Sequence, residues 1–181
     1  MENGVEGWMG PEELDTLANW AKEYKKILEI GSWYGRSTRV LAENSPGVVY
    51  AVDWWQGCPG HKPSVETAKV YNGDYAFMEF MKNNGDLVDK GKIIPIRMKS
   101  DHANWVLSTL GIKFDMIFID GDHLYEGIKA DIIGTRNLLA KGGLLCGHDY
   151  YNWSGVKKAV DELLPTRKFA GTANVNSIWY I

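Results

Sequence analysis

At 181 residues, with 45% hydrophobic and 24% charged side chains, the chain is long enough for one domain with a sizeable core, and its composition excludes disordered and disulfide-framework classes. A formal charge of −3 supplies no broad field for nucleic acid, no apolar run approaches the ~18 residues of a membrane span, and the acidic opening MENGVEGWMGPEEL has no signal-peptide core. Two cysteines, Cys58 and Cys146, allow neither a disulfide framework nor a thiolate metal motif, so the expected setting is reducing and cytoplasmic. The basic stretch Lys82, Lys90, Lys92, Arg97 and Lys99 reads as a solvated surface in preference to a phosphate patch.

In chain order, Pro11 with Glu12 and Glu13 opens a helix that the spacing of Leu14, Leu17, Ala18 and Ala21 carries to about Lys25. Strand one follows at Ile27 to Ile30, then a glycine turn and a helix from about Gly35 to Asn44. Strand two, Val48 to Val52, ends at Asp53. Residues 54–64, WWQGCPGHKPS, carry breakers and no periodicity, so they read as a loop long enough to cover a substrate. A helix is expected over about Val65 to Asn83, strand three at Ile93 to Arg97, a helix over about His102 to Leu110, and strand four at Met116 to Asp120. The last expected elements are a helix from Tyr125 to Leu139, strand five at Leu144 to Gly147, a helix from Ser154 to Leu164, and two short extended pieces, Lys168 to Ala170 and Ser177 to Ile181. Strands alternating with helices at this spacing predict a single domain, 1–181, of α/β class: a doubly wound, mostly parallel sheet of about seven strands with an antiparallel C-terminal edge.

Three strands end in glycine plus polar or charged residues: ILEIGSWYG, FDMIFIDGDHLYEG and GGLLCGHDYY. In open parallel sheets the ligand crevice lies beyond the carboxyl ends of the strands, so these three ends predict one shared site. Gly31 and Gly35 are four apart with no glycine between them, which matches neither the dinucleotide fingerprint nor a P-loop. Asp53, at the end of the next strand, is placed to accept both hydroxyls of a ribose; otherwise it caps a turn. Aromatic residues crowd the predicted strand-end loops, among them Trp33, Tyr34, Trp54, Trp55, Tyr125, Tyr150, Tyr151 and Trp153, either as core or as walls of a pocket.

The pattern E-x-G-x-x-x-G at Glu29, Gly31 and Gly35, followed by an acidic residue ending strand two, resembles class I S-adenosylmethionine-dependent methyltransferases. IDGDHLYEGIKADI with LLAKGGLLCGHDY is similar to the small macrocin O-methyltransferase-like group, and more distantly to catechol O-methyltransferase. The resemblance implies a Rossmann-like methyltransferase fold with S-adenosylmethionine as cofactor. It further implies that Glu29, Gly31 and Ser32 flank the methionine moiety, Asp53 binds the ribose, Trp54 lines the adenine pocket, Ser100 and Asp101 reach the adenine edge, and Asp120 closes the cofactor site. Trp33 and Tyr34 are bulkier than the small residues usual in that turn.

Asp120, His148 and Asp149 are donors suited to a divalent cation, and the resemblance makes them its ligand positions. Mg²⁺ suits the two carboxylates, whereas the imidazole fits Mn²⁺, Fe²⁺ or Zn²⁺ better; without a metal, the carboxylates read as turn caps and His148 as a hydrogen-bonded partner. His123 occupies the general-base position of the resembling enzymes, and an ordinary imidazole is matched to taking a proton from a metal-acidified hydroxyl. Asp122 orients His123 or caps the next helix. The expected activity is methylation of a hydroxylated small-molecule acceptor, without nucleic-acid or membrane partners and with a homodimer as the oligomeric option. The rivals are a metal-dependent hydrolase or hydroxylase-type enzyme and a non-catalytic nucleoside-binding module on the same fold.

Overall fold

The computed structural model describes residues 4–171 and 176–181. Within them lie helices α1 (Pro11–Ala21), α2 (Arg36–Asn44), α3 (Lys62–Ala68), α4 (Tyr75–Asp89), α5 (Ser100–Thr109), α6 (Tyr125–Arg136) and α7 (Ser154–Leu163). The strands are β1 (Lys26–Ile30), β2 (Val48–Asp53), β3 (Ile93–Arg97), β4 (Phe114–Ile119), β5 (Leu139–Gly147), β6 (Lys168–Phe169) and β7 (Trp179–Tyr180). They form one sheet in the order β3, β2, β1, β4, β5, β7, β6. Strands β1 to β5 run parallel, and β7 is antiparallel to both β5 and β6, which is the mostly parallel doubly wound sheet with an antiparallel C-terminal edge.

Alternation along the strands decides which helix each residue meets. Ile27, Val49, Ala51, Met116, Phe118 and Cys146 pack with Leu14, Leu17, Val40, Leu41 and Phe80 on one face. Leu28, Ile30, Val52, Ile117, Ile119 and Leu145 pack with Leu107, Ile128, Ile132, Val156 and Val160 on the other. Both faces are covered, which is why the parallel strands read as nearly continuous apolar runs. Each fully buried side chain of this kind contributes roughly 1.5 to 3 kcal/mol relative to exposure.

Several expected elements differ from those observed. The helix expected over Val65 to Asn83 is two helices joined by a 3-10 turn at Val70–Gly73, because Tyr71 and Gly73 take left-handed φ values of 50° and 89° that no α-helix continues through. The Gln56 side chain donates to the Gly73 carbonyl at 2.7 Å and holds that break. Residues 54–64 are therefore a loop only to His61, with Pro63 in the first turn of α3. The helix after β4 stops at Arg136, and β5 begins at Leu139, five residues early, with an irregularity opposite Phe114 and Met116 where Gly142 has φ of 78°. Helix α1 ends at Ala21, short of Lys25, where the chain must turn into β1.

The strand order reverses between β1 and β4, so the crevice of this sheet opens beyond Ile30 and Ile119. There the two chains cross closely: the Asp120 amide donates to the Ile30 carbonyl at 2.7 Å, and the Gly31 amide to the Val52 carbonyl at 2.8 Å. Gly31 has φ of 91°, and a Cβ on it would lie 2.1 Å from the Asp120 carbonyl oxygen. Gly31→Ala should thus cost roughly 2 to 4 kcal/mol from overpacking and left-handed strain. At this chain length that lowers Tm by roughly 5 to 12 °C in a thermal scan; an unchanged Tm would show that the crossing tolerates a side chain.

Candidate active site

The turn after β1 is built on Asp53. Its Oδ2 accepts the Trp33 amide at 2.8 Å and its Oδ1 the Trp55 amide at 2.6 Å, so one carboxylate at the end of β2 binds the backbone on both sides of itself. Burial raises Asp53 above its ordinary value, with these amide bonds opposing the rise. The side chain is half-buried and lines the cavity, and each oxygen keeps acceptor capacity toward it. The bulky residues of the turn are accommodated by stacking: Trp33 lies on Tyr34 at 4.8 Å with 20° between the rings, and the Trp55 indole, fully buried, donates to the Trp33 carbonyl at 2.6 Å.

Glu29 lies below this turn and does not line the cavity. It is 0% exposed and accepts the hydroxyls of Ser32 at 2.8 Å and Ser37 at 2.6 Å, together with that of Thr38. Its carboxyl therefore joins β1 to the first turn of α2. Burial pushes Glu29 up to about 7, with the three hydroxyl donors opposing the rise. Gly31 and Ser32 reach the cavity; Glu29 supports them from behind.

At the far end, Trp54, Ser100 and Asp101 line the cavity, with the Lys99 ammonium 4.7 Å from the Trp54 ring centroid. Sequence reasoning passed over a further carboxylate there. Asp131 is 3% exposed, lines the same wall, and is pushed up to about 7 by burial, against a hydrogen bond from Ser100. The signal was present: Asp131 falls within the buried stripe Ile128, Ile132 and Thr135 of α6, where a surface helix carries only apolar residues.

The second half of the site gathers at the ends of β4 and β5. His123 Nε2 lies 2.9 Å from Asp149 Oδ2 and 3.6 Å from Asp120 Oδ1. His148 Nδ1 lies 3.3 Å from Asp149 Oδ1 and 3.6 Å from Asp120 Oδ1. Asp149 adopts φ of 64° to turn its carboxylate between the two rings. Although His123 Nε2 is buried and 2.9 Å from an oxygen, it has no in-line hydrogen-bond partner. Asp120, His123 and Asp149 each place a donor atom within 4.8 Å of the others, a set of carboxylate and imidazole donors that fits a divalent cation. Burial opposes charge on His123, yet the Asp120 and Asp149 carboxylates beside it overcome that and push the imidazole up to about 12. His148 is raised well above its ordinary value in the same way, and the two imidazoles hold Asp149 far below the usual carboxylate range against its burial. The field that draws protons to both rings equally draws a divalent cation, which would displace them.

Around this cluster, Asp122 accepts the Leu124 amide at 2.8 Å and so shapes the entry to α6. Cys58 Sγ lies 3.5 Å from His123 Nδ1, and Trp153 stacks on the His123 ring at 4.8 Å. His61 joins Trp8 edge-on at 4.9 Å and faces Trp153 at 6.4 Å, giving the outer part of the cavity aromatic walls. Glu13 is the other residue sequence reasoning left as a helix-start charge; it is bonded to His148 Nε2 at 2.8 Å across 135 residues, a separation no local pattern reveals. Asp53, Trp54, Asp101, Asp120, His123, Asp131, His148 and Asp149 line one cavity of about 540 Å³, within the roughly 300 to 1,000 Å³ of small-molecule sites.

The buried Glu29 has a measurable consequence. Its folded-state value of about 7 exceeds the ordinary 4.5, so between those pH values the folded protein holds a proton that the unfolded chain has released. Stability from this group is full below about 4.5 and is lost as pH rises through about 7. Glu29→Gln should therefore gain on the wild type by about 3 kcal/mol between pH 4.5 and 8 in urea melts. A constant difference across that range would show Glu29 ionised in the fold.

The geometry agrees with what the chain is similar to. A family profile described as "Methyltransferase domain" matches residues 28–150, which spans the Gly31 turn, Asp53, Asp120, His123 and Asp149. Among solved structures, the calicheamicin methyltransferase CalS11 superposes with a TM-score of 0.66 at 17% identity, over 93% of this chain and 76% of that one. An O-methyltransferase from Bacillus cereus in complex with SAH gives 0.68 at 15% identity, over 96% and 80%. TomG from Streptomyces achromogenes, in complex with SAM, gives 0.68 at 14% identity, over 96% and 79%. With the nucleoside-type turn, the strand-end carboxylates and the profile all falling on the same residues, the chain belongs to the methyltransferase-domain family of class I S-adenosylmethionine-dependent enzymes.

Proposed function

We propose that the protein is an O-methyltransferase that transfers the methyl group of S-adenosylmethionine to a hydroxyl of a small molecule, assisted by a divalent cation. The observation that carries this reading is convergence: the Gly31 turn, Asp53 and the Asp120, His123, His148, Asp149 cluster open onto one cavity. Asp53 would accept the ribose hydroxyls, Trp54 and Ser100 with Asp101 would enclose the adenine, and Gly31 with Ser32 would let the methionine moiety approach the backbone. Glu29 supports the turn without contacting the cofactor. Asp120, Asp149 and the Nδ1 atom of His148 would hold the cation, which would supply Lewis-acid polarisation of the acceptor hydroxyl.

Of the residues grouped there, Asp120 and Asp149 would go to the cation and leave His123, no longer held protonated by them, to take the hydroxyl proton. The ring is suited to this because it faces the cavity, is clamped flat by Trp153, and meets Asp149 on one side and Cys58 on the other. The outer walls of Trp8, Trp33, His61 and Trp153 would offer flat apolar surface to the acceptor. O-methylation, rather than transfer to nitrogen or carbon, is supported by the hard donors beside the reaction centre and by TomG and the Bacillus cereus enzyme being O-methyltransferases. The family match favours methyl transfer over hydrolysis or a module that binds without catalysis.

Asp53→Ala should weaken S-adenosylmethionine binding at least about tenfold, since charge-assisted bonds of roughly 1.5 to 3 kcal/mol are lost. Calorimetry giving equal affinity would remove Asp53 from the cofactor site. For the second half, Mn²⁺ should raise the melting temperature of the wild type and leave that of Asp149→Ala unmoved. His123→Ala should lower turnover by roughly 10² to 10⁴ with little change in cofactor affinity. A His123→Ala enzyme of wild-type turnover would assign proton removal elsewhere.

A further inference from the structure

Glu13 stands at the junction of three parts of the chain. Its Oε1 accepts His148 Nε2 at 2.8 Å and the Ser177 amide at 2.8 Å, while its Oε2 accepts the Gly10 amide at 2.9 Å. Both partners are deeply buried, the Glu13 side chain 10% exposed and that of His148 6%. Gly10 ends a segment, residues 5–9, that forms part of the cavity wall through Glu6, Gly7, Trp8 and Met9. Arg36 ties the same segment down, donating to the Met9 carbonyl at 3.1 Å and to that of Val5.

We propose that Glu13 is a positioning residue for the cation cluster and that, through its second oxygen, it couples occupancy of the cluster to order in the segment 5–10. The inference rests on the cation-assisted reading above. A metal-ligating histidine almost always donates its other ring N–H to a carboxylate, which fixes the tautomer and the ring plane. Glu13 does this to His148: with Nε2–H given to Glu13, the lone pair of Nδ1 faces Asp120 and Asp149, at distances close to the roughly 3 to 3.5 Å that separate donors around one ion at about 2.1 Å. A ring held by the cation presents a fixed donor to Oε1, and the carboxylate so held presents a fixed acceptor to Gly10.

The test is Mn²⁺ binding by calorimetry, paired with hydrogen exchange over residues 4–10 read by mass spectrometry, in the wild type and two variants. In the wild type Mn²⁺ should bind and slow that exchange. Glu13→Ala removes both links and should weaken Mn²⁺ binding roughly 10- to 100-fold, with the exchange response lost. Glu13→Gln keeps a carbonyl oxygen for His148 and Ser177 but turns an N–H toward Gly10. Its Mn²⁺ affinity should stay within about threefold of the wild type while exchange no longer responds, a split that a general loss of stability would not produce. If Glu13→Ala does not fold, the Glu13→Gln comparison stands by itself. Wild-type affinity in Glu13→Ala, or an intact exchange response in Glu13→Gln, overturns the proposal and leaves the cation reading in place. Absence of Mn²⁺ binding to the wild type overturns both.

Discussion

The contact on which the site depends is the close approach of the Asp120 carbonyl to Gly31, in a space that no side chain can share. Strands β1 and β4 are neighbours at the point where the sheet order reverses, and each leads into one half of the candidate site: the turn after β1 and the carboxylate after β4. The Asp120 amide bonded to the Ile30 carbonyl ties the two halves together, and the Gly31 amide bonded to Val52 ties the turn to β2. Methyl transfer requires donor and acceptor to be held in line, and a shared backbone junction meets that demand with parts that are already positioned.

The buried carboxylates divide by the company they keep. Glu29 and Asp131 accept only hydroxyls and have other carboxylates nearby, and burial drives both up to about 7. Asp149 has two imidazoles against it and stays far below the ordinary range despite similar burial. The difference lies in whether a partner can carry positive charge, since a hydroxyl bond softens desolvation and a cation cancels it. Acids held by hydroxyls and an acid held by imidazoles therefore sit within one site without competing: the first titrate about 7, the second stays charged. The aromatic residues follow a parallel division, with Trp55 buried under the turn as packing and Trp153 placed against His123 as an orienting wall.

Much of this was legible in the residues. Apolar runs that end in Gly31, in Asp120 and in His148-Asp149 marked three strands and one common edge, because a parallel sheet has to be apolar on both faces and releases its polar groups only at its ends. Strand positions, sheet class and the polar cluster follow from that periodicity. The break at Tyr71 and Gly73 was not legible, since VYNGDYAF has helical spacing on both sides and the stop depends on Gln56 seizing the Gly73 carbonyl from another loop. The early start of β5 was hidden likewise, because Leu139 pairs with Phe114 across a glycine irregularity that only the sheet register requires.

Sequence by itself determined that a nucleoside-type turn and a carboxylate–imidazole cluster lie at one sheet edge, since both are local: a glycine where φ must be positive, and acids where an apolar run ends. Tertiary structure decided what each group faces. Glu29 turned out to spend its oxygens on Ser32, Ser37 and Thr38, Asp131 to enter the cavity wall, and Glu13 to meet His148 across 135 residues. Such assignments depend on which elements pack against one another, and the direction of a side chain at a junction of three segments is a property of none of them singly.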